Sequence, residues 1–464
     1  MRDRQGDGKV IDYDALKKLI AEEGIEFIDF KIVDLVGRWR HITIPASRFT
    51  PHLIENGIAF DGSNFGYASV EGSDMVVSPD LDTAVIVSYN DERVLSIISD
   101  IHMAGGKGPF IGDPRGVARR AEGFLASEGI AETALISPEF EFYVFAQSEY
   151  NSKPGESYYS LTPLTEGAEY SFYHICPPED QLFTLRNEIC RQLERLGIPI
   201  KYHHHEVGPL GQLEIELGFD RLLKMADNTL IIKNIVRTVA AEAGLTATFM
   251  PKPIFGEPGS GMHVHQYLAT GGQSIFEQKG ELSEIGLCYI GGILSHGRSL
   301  SGLTNPSTNS YCRLVPNYEA PVTLAFGEGN RSAAIRIPGY ATAEERRIEL
   351  RTADATCNPY LAYAGMLMAG LDGIKRNLNA VDLGFGPHKN DLYNLSPEAA
   401  EKLVQVPADL GEALSALEDD HDYLTAGGVF EKEQIARWIE LKRKDQRGLR
   451  SRPHPYEFSL YYNL

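Results

Sequence analysis

The stretch HHHEVGPLGQLEIEL, residues 203–217, places His203, His204, His205 and Glu206 before a Gly/Pro turn and runs on into a β-type segment carrying Glu214 and Glu216. Strand side chains repeat every two residues, so the two glutamates share one face. Like charges repel and burial penalises the ionised form, so this crowding needs a compensating positive charge. The same alternation recurs elsewhere. SPEFEFYVF (137–145) aligns Glu139, Glu141 and Tyr143, GSGMHVHQYL (259–268) aligns His263 with His265, and RRIELR (346–351) aligns Arg347, Glu349 and Arg351. Any one pattern is also what a sheet face meeting water shows. Four together point to a shared face lined by acids and imidazoles that cations fill. Oxygen-dominated ligation with some imidazole and no thiolate indicates Mg²⁺ or Mn²⁺ rather than zinc.

The rest of the chain bounds the fold and the partners. Its 464 residues, 43% apolar, can bury a large core and suggest two or three domains. Lys and Arg number 44 against 64 Asp and Glu, a formal charge of -20, which argues against nucleic-acid binding by general electrostatics. The five cysteines are scattered without CxxC spacing, as expected of thiols in a reducing cytosol. MRDRQGDGKV at the amino terminus lacks a secretory apolar run, and the longest apolar block, LAYAGMLMAGL (361–371), is about half of a ~20-residue membrane span. A cytoplasmic protein with no membrane role is expected.

Helix and strand signals order the chain. DYDALKKLIAEEG reads as a helix capped by Asp12 or Asp14 and stopped by Gly24, followed by EFIDFKIVDL and RWRHITIP as a hairpin. DTAVIVSYN and RVLSIISDI are further β-type runs, and the loop AGGKGPFIG (104–112) marks a domain boundary. Beyond it, Asp113, Pro114 and Gly129 bracket a helix, and Leu182 to Leu196 and Asp220 to Gly244 carry helical periodicity. The acidic LEDDHDY (417–423) reads as a solvated surface segment. Arg313, Arg331, Arg336 and Arg351 stand beside turns or strands, suited to bidentate clamping of phosphate or carboxylate oxygens.

FDGSNF, SPEFEFY, HHHEVGPLGQLE, GSGMHVH, RLVPNYEAPV, NRSAAIRIP, RRIELR and NPYLAYAGMLMAGLDGI occur in the order found in glutamine synthetases of the bacterial type I group, which this chain resembles from about Phe27 to its carboxyl terminus. The resemblance implies an α+β chain: an N-terminal β-grasp domain (1–108), then the glutamine synthetase catalytic α/β funnel domain (109–464). It implies a homododecamer of two hexameric rings with active sites between subunits, and the substrates L-glutamate, ammonium and ATP. Two or more Mg²⁺ or Mn²⁺ ions per site would be held by Glu141, Glu206 and Glu214 and by Glu139, His263 and Glu349. Asp61, Glu319, Arg331 and Arg351 would be catalytic. Gly259, Arg313, Glu319, Arg351 and Tyr173 would hold the amino-acid substrate, and His265, Tyr267, Arg331, Arg336 and Arg347 the nucleotide. His203 and Glu216 have no metal role in the family pattern.

The chain departs from that pattern at several positions. Pro258 stands where Asn is usual, Glu344 where Lys is common near the nucleotide, Tyr267 where Ser is frequent, and Lys201 where an acid is often found. The segment DGSNFGYASVEGSDM is one residue short, and Tyr393 resembles a tyrosine that some members adenylylate. Besides glutamine synthesis, a γ-glutamyl ligase for a larger amine and a silent structural relative stay open. Asp61 and Glu319 favour the first, and the six retained metal-type residues disfavour the last.

Overall fold

The computed structural model describes residues 12–67, 72–89, 92–164, 171–315, 320–395, 398 and 401–464. The chain packs as two compact units, Met1–Gly116 and Val117–Leu464. In the first, the helix Tyr13–Glu22 is capped by Asp12, whose carboxylate accepts the Ala15 N–H at 2.9 Å, and Gly24 with φ 62° ends it. Strands β1 (Phe27–Val33), β2 (Trp39–Pro45), β3 (Ile58–Asp61), β4 (Asp74–Pro79), β5 (Val85–Tyr89) and β6 (Glu92–Met103) form one sheet in the order β2-β1-β6-β4-β3, with β5 also on β6. β1 and β2 are the expected antiparallel pair, while β1 runs parallel to β6. The first unit reaches past the 104–112 loop because Arg115, 2% exposed, spans Asp100 at 2.6 Å and Asp80 at 2.8 Å.

The second unit is built on a larger sheet. Its strands are β7 (Thr133–Lys153), β8 (Glu156–Pro163), β9 (Ile200–His205), β10 (Gln212–Leu217), β11 (Asp220–Arg221), β12 (Thr246–Thr248), β13 (Met262–Thr270), β14 (Gln273–Ser274), β17 (Thr323–Glu328), β18 (Ala333–Ile337) and β19 (Ile348–Leu350). A separate small pair comprises β15 (Glu277–Gln278) and β16 (Glu281–Leu282). The path through the main sheet is β17-β18-β19-β13-β7-β10-β9, so strands far apart in sequence become neighbours. The long apolar helix Pro359–Arg376 starts on Pro359, ends at Asn377 with φ 52°, and is buried along most of its length. Among the described residues no helix is long and apolar enough to cross a membrane.

LEDDHDY is only partly a surface segment. Glu418, Asp419 and Asp422 are exposed, but Leu417 and Tyr423 are buried and Asp420 meets His296 Nδ1 at 2.8 Å. Its charge count hid two apolar anchors, one on each of two successive helices.

Two helices, Glu284–Ser295 and Pro359–Arg376, approach so closely that a Cβ on Gly373 would lie 2.2 Å from the Cys288 carbonyl oxygen and 2.6 Å from Gly292 Cα. Backbone cannot rotate away, so Gly373→Ala is expected to lower unfolding stability by about 1–3 kcal/mol. Gly123 sits exposed in the helix Pro114–Glu128 with nothing within 4 Å of an added Cβ, and Gly123→Ala is expected to raise stability by about 0.5–1 kcal/mol. Denaturant midpoints of the two variants, moving in opposite directions, check this.

Candidate active site

Sheet register assembles the site. Glu141 on β7 lies directly opposite Glu214 on β10, and Glu139 opposite Glu216. On the other side of β7, His263 of β13 faces Glu139, and beyond β13, His265 faces Glu349, which in turn faces Arg336 of β18. At the far edge His204 of β9 faces Glu214. Period-two alternation turns these side chains to one face, where Glu139, Glu141, Glu206, Glu214, His263 and Glu349 are all buried.

The contacts fall into two clusters. In one, His204 Nε2 is 3.2 Å from Glu214 and its Nδ1 is 3.5 Å from Glu206. In the other, Glu139 receives His265 Nε2 at 2.7 Å and His263 Nδ1 at 3.0 Å, with Glu349 3.9 Å from His263. Glu141 lies between them, 3.6 Å from His263 Nε2, and its other oxygen accepts the Gly261 N–H at 2.7 Å. Donor atoms of Glu139, His265 and Glu349, and of His204, Glu206 and Glu214, converge within 4.8 Å in each set, close enough to hold a metal ion. His204 and His265 are thus nearer to these carboxylates than the sequence assignment had them. The hairpin register placing His204 on Glu214 was invisible in the sequence, although the even spacing of His204 and Glu206 was a signal.

The electrostatics show an excess of negative charge. Burial, and then the neighbouring Glu139, Glu141 and Glu216, push the Glu214 carboxyl well above the ordinary range. Burial also opposes ionising Glu349, yet Arg351 and the imidazoles outweigh it and hold the carboxyl down to about 2. Glu139 likewise overcomes burial through His265 and His263 and stays well below its usual value. Burial lowers His204, keeping a lone pair available at neutral pH. Six carboxylates crowd this face, counting Glu216: Arg336 and Arg351 hold Glu349 and Lys201 holds Glu216, while the ion pairs of Glu139, Glu141 and Glu214 among the described residues are to imidazoles. Buried oxygen and imidazole donors left short of positive charge fit divalent cations.

The remaining sequence-assigned residues take definite places. Arg313 is buried and donates to the carbonyls of Thr352 at 2.9 Å, Ala353 at 3.2 Å and Arg351 at 3.0 Å, with its Nη2 3.5 Å from His263. Gly259 packs against it: an added Cβ would lie 2.7 Å from Arg313 Cγ. Arg347 Nε reaches His265 Nδ1 at 3.4 Å, and its guanidinium covers the rings of Phe219 and Tyr340. Tyr267 meets Phe219 edge-on at 5.0 Å, so Phe219 and Tyr340, unremarked in the sequence, complete an aromatic wall. Tyr173 is exposed and meets the His204 ring edge-on at 5.2 Å. The Arg331 carbonyl accepts Arg351 Nε at 3.2 Å. Glu344 is exposed.

Asp61 belongs to the first unit, where Ser63 N and Oγ and Asn64 Nδ2 donate to its carboxylate at 2.9, 2.7 and 2.8 Å. Those hydrogen bonds, led by the Ser63 hydroxyl, hold its carboxyl below the ordinary value. Glu319 lies outside the described residues.

Two family models cover the chain: the glutamine synthetase β-grasp domain matches residues 24–104 and the glutamine synthetase catalytic domain matches residues 111–461. A glutamine synthetase from Mycolicibacterium smegmatis is 42% identical over 476 residues, covering 97% of this chain and 99% of that one. One from Escherichia coli is 42% identical over 466 residues, covering 96% and 98%. Among solved structures, Plasmodium falciparum glutamine synthetase superposes with a TM-score of 0.88 at 27% identity, covering 97% and 99%. A GmaS–ADP complex superposes with a TM-score of 0.83 at 26% identity, covering the same shares.

The raised Glu214 carboxyl carries a sign. Its protonated form is favoured in the fold, so the associated stability is present below the unfolded value of about 4.3 and is lost as pH rises through the folded value. With chelator present, the thermal midpoint is expected to fall from pH 5 towards pH 8, to fall less in Glu214→Gln, and to recover more in the unaltered protein than in the variant on adding excess Mn²⁺. Parallel pH profiles for the two proteins would contradict this.

Proposed function

The chain belongs to the glutamine synthetase family, and from that premise we infer that it joins ammonium to L-glutamate with ATP, giving L-glutamine, ADP and phosphate. The observation that carries the reading is the single buried sheet face on which Glu139, Glu141, Glu214, His263 and Glu349 meet arginines that neutralise only part of their charge. Glu141, Glu206 and Glu214, with His204 beside them, would hold one divalent ion. Glu139, His263 and Glu349, with His265 alongside, would hold another. When bound, Mg²⁺ or Mn²⁺ neutralises the acids and the nucleotide phosphates.

A carboxylate is a poor electrophile. The γ-oxygen of glutamate therefore takes the terminal phosphoryl of ATP, releasing ADP and leaving an acyl phosphate whose carbon ammonia can attack. In this reading Arg331, Arg336 and Arg351 stabilise the charge spread over the transferring phosphoryl oxygens. His265, Tyr267 and Arg347 border the nucleotide in this reading; likeness to a protein solved with ADP supports nucleotide binding as such. Arg313, Gly259 and Tyr173 hold the amino acid. Asp61, kept ionised by its hydrogen bonds, binds ammonium and takes a proton to free ammonia. Glu319 closes over the intermediate, excludes water and takes a further proton. Attack then expels phosphate. The reading extends to a cytoplasmic homododecamer of two stacked hexameric rings in which Asp61 serves a neighbouring subunit's site.

An amine panel with ATP, glutamate and Mg²⁺ or Mn²⁺, read by phosphate release and product mass, tests the activity. Ammonium is expected to give glutamine. A diamine outperforming it would overturn the choice of amine, and silence would overturn catalysis. Glu349→Gln is expected to cut turnover by about 10²–10³-fold while leaving the assembly intact by light scattering. Retained turnover would remove Glu349 from the mechanism.

A further inference from the structure

The loop 251–261 carries Gly259 against Arg313, and its tip is unprotected, with Phe255 92% exposed. One end is tied to Asn309, which accepts the Lys252 N–H at 2.8 Å and donates to the Lys252 carbonyl at 3.0 Å. Lys252 Nζ also binds the Glu257 carbonyl, and Ser260 N–H reaches the Pro251 carbonyl at 2.8 Å. At the other end stands Pro258, which has neither an N–H nor a polar side chain. Its carbonyl is its one polar handle, and the Tyr143 hydroxyl donates to it at 2.8 Å.

Tyr143 does not act alone. Gln212 is its direct partner across β7 and β10, and Gln212 Nε2 donates to the Gly259 carbonyl at 2.9 Å. The same amide's oxygen accepts the Gly208 N–H at 2.9 Å, in the turn that follows Glu206. Gly208 sits so tightly that an added Cβ would lie 2.5 Å from the Tyr143 hydroxyl and 2.6 Å from Gln212 Oε1. Both side chains are buried, and the Tyr143 ring is stacked at 5.7 Å on Phe145. A rigid pair on two central strands thus grips consecutive carbonyls of a loop whose tip, Phe255 and Gly256, is exposed, and ties them to the turn carrying Glu206.

We propose that Tyr143 and Gln212 are positioning residues for the amino-acid substrate, fixing the Pro258 and Gly259 carbonyls and so the loop that receives L-glutamate. The inference rests on reading this pocket as the glutamate site. Neither side chain touches the reacting atoms, so its signature is a change in glutamate affinity separate from nucleotide affinity and turnover.

Tyr143→Phe keeps the ring and removes the hydroxyl. The Michaelis constant for L-glutamate is expected to rise about 5–10-fold, the worth of one hydrogen bond, with kcat and the ATP constant within about twofold. Hydrogen exchange in a peptide spanning 251–262 is expected to quicken, and Gln212→Met combined with Tyr143→Phe to raise the glutamate constant further. Calorimetry of unaltered protein with L-glutamate separates the two layers. If it binds glutamate while Tyr143→Phe leaves the constant and the exchange unchanged, the positioning role is wrong. A rise in both substrate constants together with a fall in kcat also overturns it. If unaltered protein binds no glutamate, the pocket reading falls and the inference with it.

Discussion

The structure turns on carboxylates that face one another across paired strands. Glu141 opposes Glu214 and Glu139 opposes Glu216 in an antiparallel ladder, all four buried. Directly opposed like charges destabilise a sheet, and burial magnifies the effect. Such a register persists only because something positive meets it. Part of that charge is covalent: Lys201 answers Glu216, and Arg336 with Arg351 answer Glu349. Among the ion pairs of the described residues Glu141 and Glu214 meet only imidazoles, and Glu214 registers the shortfall in its raised carboxyl. That unmet charge is what the proposed divalent ions would answer, so one electrostatic deficit links the fold to the proposed chemistry.

Much of this was legible in the amino-acid sequence because period-two alternation is a local signal. Glu139 with Glu141, His263 with His265, and Arg347 with Glu349 declare a strand face without knowledge of any neighbour. The cap residue Asp12, and Pro114 at a first helical position, likewise marked the helices that form. Ordered motifs added the family.

What stayed hidden depends on pairing between distant segments. That His204 sits on Glu214, that Lys201 on β9 answers Glu216 on β10, and that His265 joins Glu139 are register facts, and register is set by the whole sheet. Two sequence departures gain a local meaning from the same source. Lys201 is the counter-ion of a buried acid, and Pro258 hands its carbonyl to Tyr143. LEDDHDY misled because composition averages over residues: Leu417 and Tyr423 anchor a segment whose charges suggested solvent.

Anomalous diffraction from crystals grown with Mn²⁺ and ADP tests the central claim most directly. The account predicts two manganese peaks per chain, one bordered by Glu141, Glu206 and Glu214 and one by Glu139, His263 and Glu349. Full occupancy elsewhere on the chain, with both of these positions empty, would contradict it.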